Sequence, residues 1–120
     1  MMTNTKQLKV MFEVLINGIK VKLIADSGAP ISMIDILQAN SLQAVILPFI
    51  SALNWSGAGG MKLNVVGITV LKANLMGNMF TIVALAVEAR IPTILMGINC
   101  LQNNKMHLFV GGPSCYLSIR

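Results

Sequence analysis

Residues 9–23 carry the pattern that most restricts what this chain can fold into. Val10, Phe12, Val14 and Ile16 are apolar at alternate positions. Asn17-Gly18 interrupts the pattern, and Ile19, Val21 and Leu23 resume it with Lys20 and Lys22 between them. A period of two puts one side-chain set on one face of an extended strand. Asn-Gly is the pair favoured where a type I′ turn needs positive φ at both central residues. The spacing therefore predicts a β-hairpin with one apolar face.

The remainder also reads as mostly β. Residues 31–37 form a further strand-like run, and Ser56-Gly57-Ala58-Gly59-Gly60 suits the tip of a mobile hairpin. Residues 65–75 and 79–87 read as two strands joined by a turn at Gly77-Asn78. After Pro92, residues 93–96 run into Gly97, and 98–104 is the one segment expected to be a short helix. A last hairpin at Gly111-Gly112-Pro113 would return along 114–119. With 120 residues and no linker or repeat, the expectation is one domain over 1–120, residues 1–8 being a polar N-terminal extension.

Composition narrows the class. Apolar residues make up 55% and charged residues only 11%, against about 25% charged in ordinary globular domains. So apolar a surface points to an interface between subunits. A membrane span is not expected: the best stretch, 44–53, is short of the about 20 apolar residues a spanning helix needs. The polar start lacks the apolar core of a signal peptide, so secretion by its own signal is not expected. The net charge of +5 comes from scattered Lys and Arg with few aromatics. That pattern is a solubilising charge, not a nucleic-acid stripe, and no specific nucleic-acid partner is expected. Cys100 and Cys115 read as buried free thiols.

Only four acids occur: Glu13, Asp26, Asp35 and Glu88. Glu13 lies in an amphipathic strand and Glu88 beside Arg90, so both read as solvated charges. Asp35, at a strand end, suits the capping of a turn. Asp26 differs, because it follows the apolar run Leu23-Ile24-Ala25 and precedes Ser27-Gly28. A carboxylate ending a buried strand is costly unless hydrogen-bonded or functional. Asp-Ser-Gly alone reads sooner as a plain Asx-type turn than as a reactive site.

The surroundings of these three residues shift the balance. The segment 14–34, with its hairpin, its apolar strand, Asp26-Ser27-Gly28-Ala29 and then Ile31-Ser32-Met33-Ile34, resembles the opening of retropepsins. These are the aspartic proteases of retroviruses and LTR retrotransposons, and include the protease-like domain of DNA-damage-inducible ubiquitin-shuttle proteins. Ile94-Leu95-Met96-Gly97-Ile98-Asn99-Cys100-Leu101 is similar to their second signature, and the glycine-rich segment between the motifs is similar to their flap. The resemblance covers about residues 11–119. It implies a closed, mostly antiparallel β barrel with a glycine-rich flap and one short C-terminal helix.

It also implies an aspartic endopeptidase with a single catalytic aspartate per chain, Asp26, so that a working site needs a second copy of the chain. By resemblance, Ser27 and Gly28 support the active-site loop. Gly28, Ala29, Trp55, Ser56, Gly57, Ala58 and Gly59 contact a polypeptide substrate. Gly97 and Asn99 pack the short helix under the loop, and residues 115–119 pair across the dimer. No metal or cofactor is implied. Processing of its own polyprotein and a cytoplasmic or particle-associated location are the matching expectations.

Other chemistries fit less well. His107 is the only histidine; Cys100, His107 and Cys115 lack a paired Cys-x-x-Cys and a fourth zinc ligand. No nucleophile elbow or phosphate-binding loop occurs. The competing function is a catalytically silent retropepsin-like module kept for dimerisation or peptide binding. A small membrane-associated protein is a third reading.

Overall fold

The computed structural model describes residues 9–48, 54–56, 62–91, 93–111 and 114–119. Strands β1 (Lys9–Ile16) and β2 (Ile19–Asp26) form the expected hairpin, with Val14 opposite Val21. Asn17 and Gly18 take φ of 52° and 77°, the two left-handed residues of a type I′ turn. Val14, Ile16, Val21, Leu23 and Ala25 are buried and Val10 and Phe12 half-buried, while Glu13, Lys20 and Lys22 stay exposed; the period-two reading holds except at Ile19, which is exposed beside the turn.

Strand β3 (Ser32–Asp35) is shorter than residues 31–37, and a helix absent from the sequence reading, α1 (Ile36–Ser41), follows it. The expectation of a single helix is corrected here. The cause is local: the Asp35 carboxylate accepts a hydrogen bond from Leu37 N at 2.9 Å, which satisfies one of the orphan donors at a helix start. Leu37, Gln38 and Ala39 then favour the helix, and Ala39 is its buried anchor.

Strands β4 (Ile46–Pro48) and β5 (Asn54–Ser56) both pair with the long β6 (Lys62–Leu75), which pairs along most of its length with β7 (Asn78–Val87). The β6–β7 turn falls on Met76-Gly77, one residue earlier than expected, with φ of 49° and 89°. The cross-strand pair Leu75↔Asn78 closes the ladder, so Asn78 belongs to the strand. A bulge between Val65 and Gly67 breaks the β6 register. A Cβ on Gly67 would lie 2.2 Å from the Leu47 carbonyl oxygen, so only glycine lets β4 approach there.

Strand β8 (Ile94–Met96), helix α2 (Ile98–Asn103) and the antiparallel pair β9 (Met106–Gly111) and β10 (Ser114–Ile119) complete the chain. The sheet runs β1-β2-β8-β3-β7-β6, and Leu15↔Asn74 and Ile16↔Ala73 join β6 back to β1, closing a six-stranded barrel. Two of its joints are parallel, β2 with β8 and β3 with β7. The barrel interior holds Val14, Ile16, Leu23, Ile34, Leu71, Ile82, Ile94 and Met96, with Cys100 and Leu101 of α2 packed against it. A smaller apolar cluster joins Val65, Leu85 and Val87 to Ile31, Met33 and Ile91. No described helix is long and apolar enough to cross a membrane.

Candidate active site

The parallel pairing of β2 with β8, ending at Ala25↔Met96, delivers Asp26 and Gly97 side by side at the same end of the barrel. Asp26 closes β2 and is only 7% exposed. The chain then reverses: Ala29 N donates to Asp26 O at 3.2 Å, and Gly28 N donates to Asp26 Oδ1 at 2.8 Å. The Asx turn that three residues alone suggest is therefore real. It holds the carboxylate in one rotamer at the mouth of the loop, which is what a reactive group there requires, so the turn and the chemistry are compatible.

The loop is tied to α2 from beneath. Ile98 N donates to Ala29 O at 2.8 Å. Gly97 precedes α2 as its N-cap, and a Cβ there would lie 2.6 Å from the Ile31 carbonyl carbon and 2.8 Å from Ala29 O. The two segments thus meet backbone to backbone, a contact open only to glycine.

A buried polar knot completes the support. Asn99 Oδ1 accepts from Ser32 N and from Ser32 Oγ, both at 2.9 Å. Asn99 Nδ2 donates to Val83 O at 2.9 Å, and Ser32 Oγ accepts from Gly97 N at 2.9 Å. Ser32 is fully buried, so no water replaces these partners. The knot links the strand after the loop, the start of α2 and the middle of β7. Sequence reasoning does not name Ser32 as a site residue. The available signal is a lone hydroxyl on the inward face of an apolar strand, which has to find a hydrogen-bond partner inside.

Asp26, Ser27, Gly28, Ala29, Gly97 and Asn99 are thus gathered at one place. Trp55 and Ser56 lie on β5, opposite Leu63 and Lys62 of β6, which is one arm of a hairpin. Gly57, Ala58 and Gly59 lie outside the described residues. Cys100 is a buried free thiol whose pKa burial pushes up from 9.0 to about 11, partly offset by a hydrogen bond from Asn104. The described residues hold no group of three or more potential metal-ligating side chains.

No protein-family model and no curated protein sequence matches the chain. Solved structures do match. EIAV protease in complex with the inhibitor HBY-793 superposes with a TM-score of 0.65 at 21% identity, over 91% of this chain and 100% of that one. The retroviral protease-like domain of Ddi1 from Leishmania major gives 0.65 at 15% identity, over 93% and 94%. A retropepsin-like aspartic protease from Rickettsia conorii gives 0.63 at 15% identity, over 92% and 89%. With the closed six-stranded barrel and the paired loops at its end, these likenesses show that the chain has the retropepsin-like fold.

Proposed function

We propose that the chain is one subunit of an aspartic endopeptidase, whose catalytic pair consists of Asp26 from each of two copies. The observation that carries the reading is the nearly buried Asp26 carboxylate, held by the Gly28 N–H on a loop braced by Gly97, Ser32 and Asn99. A single such loop is half a site, and a twofold axis supplies the other half.

Two carboxylates about 3 Å apart cannot both ionise, so the pair would share one proton and titrate as a unit. The ionised member takes a proton from water as it attacks the peptide carbonyl carbon. The protonated member donates to the carbonyl oxygen and the amine nitrogen later receives a proton as the C–N bond breaks. Substrate would lie as an added strand between the β5–β6 hairpin, acting as flap, and the Asp26 loop. Ser27, Gly28 and Ala29 would flank it. Ile31 and Met33, half-buried beside the loop, favour apolar side chains near the cut. Among the described residues the outer edge of β10 pairs with no strand, and the dimer would use it. The parent polypeptide of the chain is a natural substrate on this reading.

The test is cleavage of apolar-flanked peptides between about pH 4 and 7, where a shared-proton pair is active, with and without pepstatin and beside Asp26→Asn. Cleavage by the wild type that is lost in Asp26→Asn is the expected result. Cleavage that survives the substitution refutes the mechanism. A dimer by analytical ultracentrifugation that cuts nothing would favour a silent binding module.

A further inference from the structure

Asp26 faces a charge across its own ladder. The β1–β2 register sets Lys9 directly opposite it, and the side chains of such a pair leave the same face of the sheet with Cβ atoms about 5 Å apart. That face is the outer one, because the alternate residues Val14, Val21, Leu23 and Ala25 are buried inside the barrel. Lys9 is exposed. The Asp26 carboxylate takes its hydrogen bond from Gly28 N and not from the ammonium, and among the described residues Lys9 has no ion-pair partner.

The next row along this face is apolar. Met11 pairs with Ile24, Ile24 with Leu95 and Leu95 with Met33, across four strands. Met11 is 59% exposed and the other three are half-buried, so the row offers apolar surface and no charge. The remaining charges on the same face of β1, β2 and β3 are distant or engaged. Glu13 and Lys22 face each other four residues along the strands from Lys9 and Asp26, about 13 Å at the rise of a strand. Lys20 lies two residues farther, and the Asp35 carboxylate caps α1. An exposed lysine without a partner adds little to the fold. Its chemistry is open to a ligand instead, and its place is beside Asp26.

We propose that Lys9 selects substrates that carry an aspartate or glutamate about two or three residues from the scissile bond. The inference deepens the protease reading and rests on it. The flexible four-carbon stem carries the ammonium several ångströms beyond Cβ. An extended substrate advances about 3.3 Å per residue, so the ammonium meets a side chain a short way from the cut and leaves the residues at the cut to the Met11–Met33 row. The substrate carboxylate then makes the charge-assisted hydrogen bond that the free chain leaves open. A twofold axis puts one Lys9 on each side of the cut, so an acid on either side is recognised.

The experiment compares peptides with apolar residues at the cut and Glu, Gln or Lys at the second or third position from it. For the wild type, kcat/KM should be about tenfold higher with Glu than with Gln, the low end of what a hydrogen bond to a charged group contributes. The ratio should shrink as salt rises. Lys9→Arg should keep the preference, Lys9→Gln should bring the ratio to about one, and Lys9→Glu should turn it towards the Lys peptide. A merely structural lysine would move all three peptides together. Binding of the same peptides to the Asp26→Asn chain, followed by fluorescence anisotropy, should show the same order. A binding preference for Glu in a chain whose wild type cuts nothing would sink the protease reading and leave Lys9 as the acid-selecting residue. Equal treatment of Glu and Gln in both assays, a preference that survives Lys9→Gln, or failure of every peptide to bind would each overturn the inference.

Discussion

The Ser32–Asn99 knot allows a quantitative test, because removing each partner strands a countable set of buried groups. In Ser32→Ala, the Gly97 N–H loses its acceptor. In Asn99→Ala, the N–H and the hydroxyl of fully buried Ser32 lose theirs, whereas the Val83 carbonyl, on a residue 36% exposed, is open to water. Each stranded buried donor costs about 1.5 kcal/mol. Ser32→Ala should therefore cost about 1.5 kcal/mol and Asn99→Ala about 3. The double variant strands only the N–H groups of Gly97 and residue 32, and should also cost about 3, not the 4.5 or so of additivity. Urea unfolding at fixed protein concentration reads these values, the concentration being held because any dimer would add its own stability. A coupling energy near zero, or an Asn99→Ala cost well below 1 kcal/mol, would refute the idea that Asn99 Oδ1 braces the loop.

Further outcomes follow from single groups. Gly97→Ala would push a Cβ against the backbone of Ala29 and Ile31; a loss of about 2–3 kcal/mol is expected in denaturant melts, together with loss of any cleavage that Asp26 supports. Thr69 is fully buried with its Oγ1 unpartnered among the described residues, so Thr69→Val should raise stability by about 1 kcal/mol, and a drop would mean that the hydroxyl has a partner. Cys100, with its pKa raised to about 11 by burial, should resist thiol reagents near neutral pH until the chain is unfolded. Because its proton is held more tightly in the folded chain, stability should be level below pH 9 and fall as pH climbs towards 11, an effect absent in Cys100→Ala.

What was legible in the sequence was local. The β1–β2 hairpin follows from period-two alternation and Asn17-Gly18, and α2 from the break at Gly97. Helix α1 is hidden because Ile31, Met33, Ile34 and Ile36 look like one strand, and an aspartate at a strand end caps a turn as readily as a helix. Gly77-Asn78 looks like the turn because methionine at positive φ, as at Met76, runs against the usual turn chemistry. The parallel joints and the knot around Ser32 escaped for another reason. They depend on registers between segments distant in sequence, and periodicity carries no record of which strands become neighbours. Asp26 stood out only because two separate motifs implied a common loop pair, which the β2–β8 pairing supplies.

The barrel closes on two residue pairs, Leu15↔Asn74 and Ile16↔Ala73, and that narrow seam sets an order of events. The β1–β2 and β6–β7 hairpins form between near neighbours, on the microsecond scale typical of such turns. The seam must bring together residues roughly sixty apart, at an entropy that grows with the logarithm of that span. The hairpins would then be early and the seam late in folding, and amide exchange at Leu15 and Ala73 would outpace exchange in the middle of β7. A barrel assembled in this order opens first where it closed last, between the two turns that carry Asn17 and Met76.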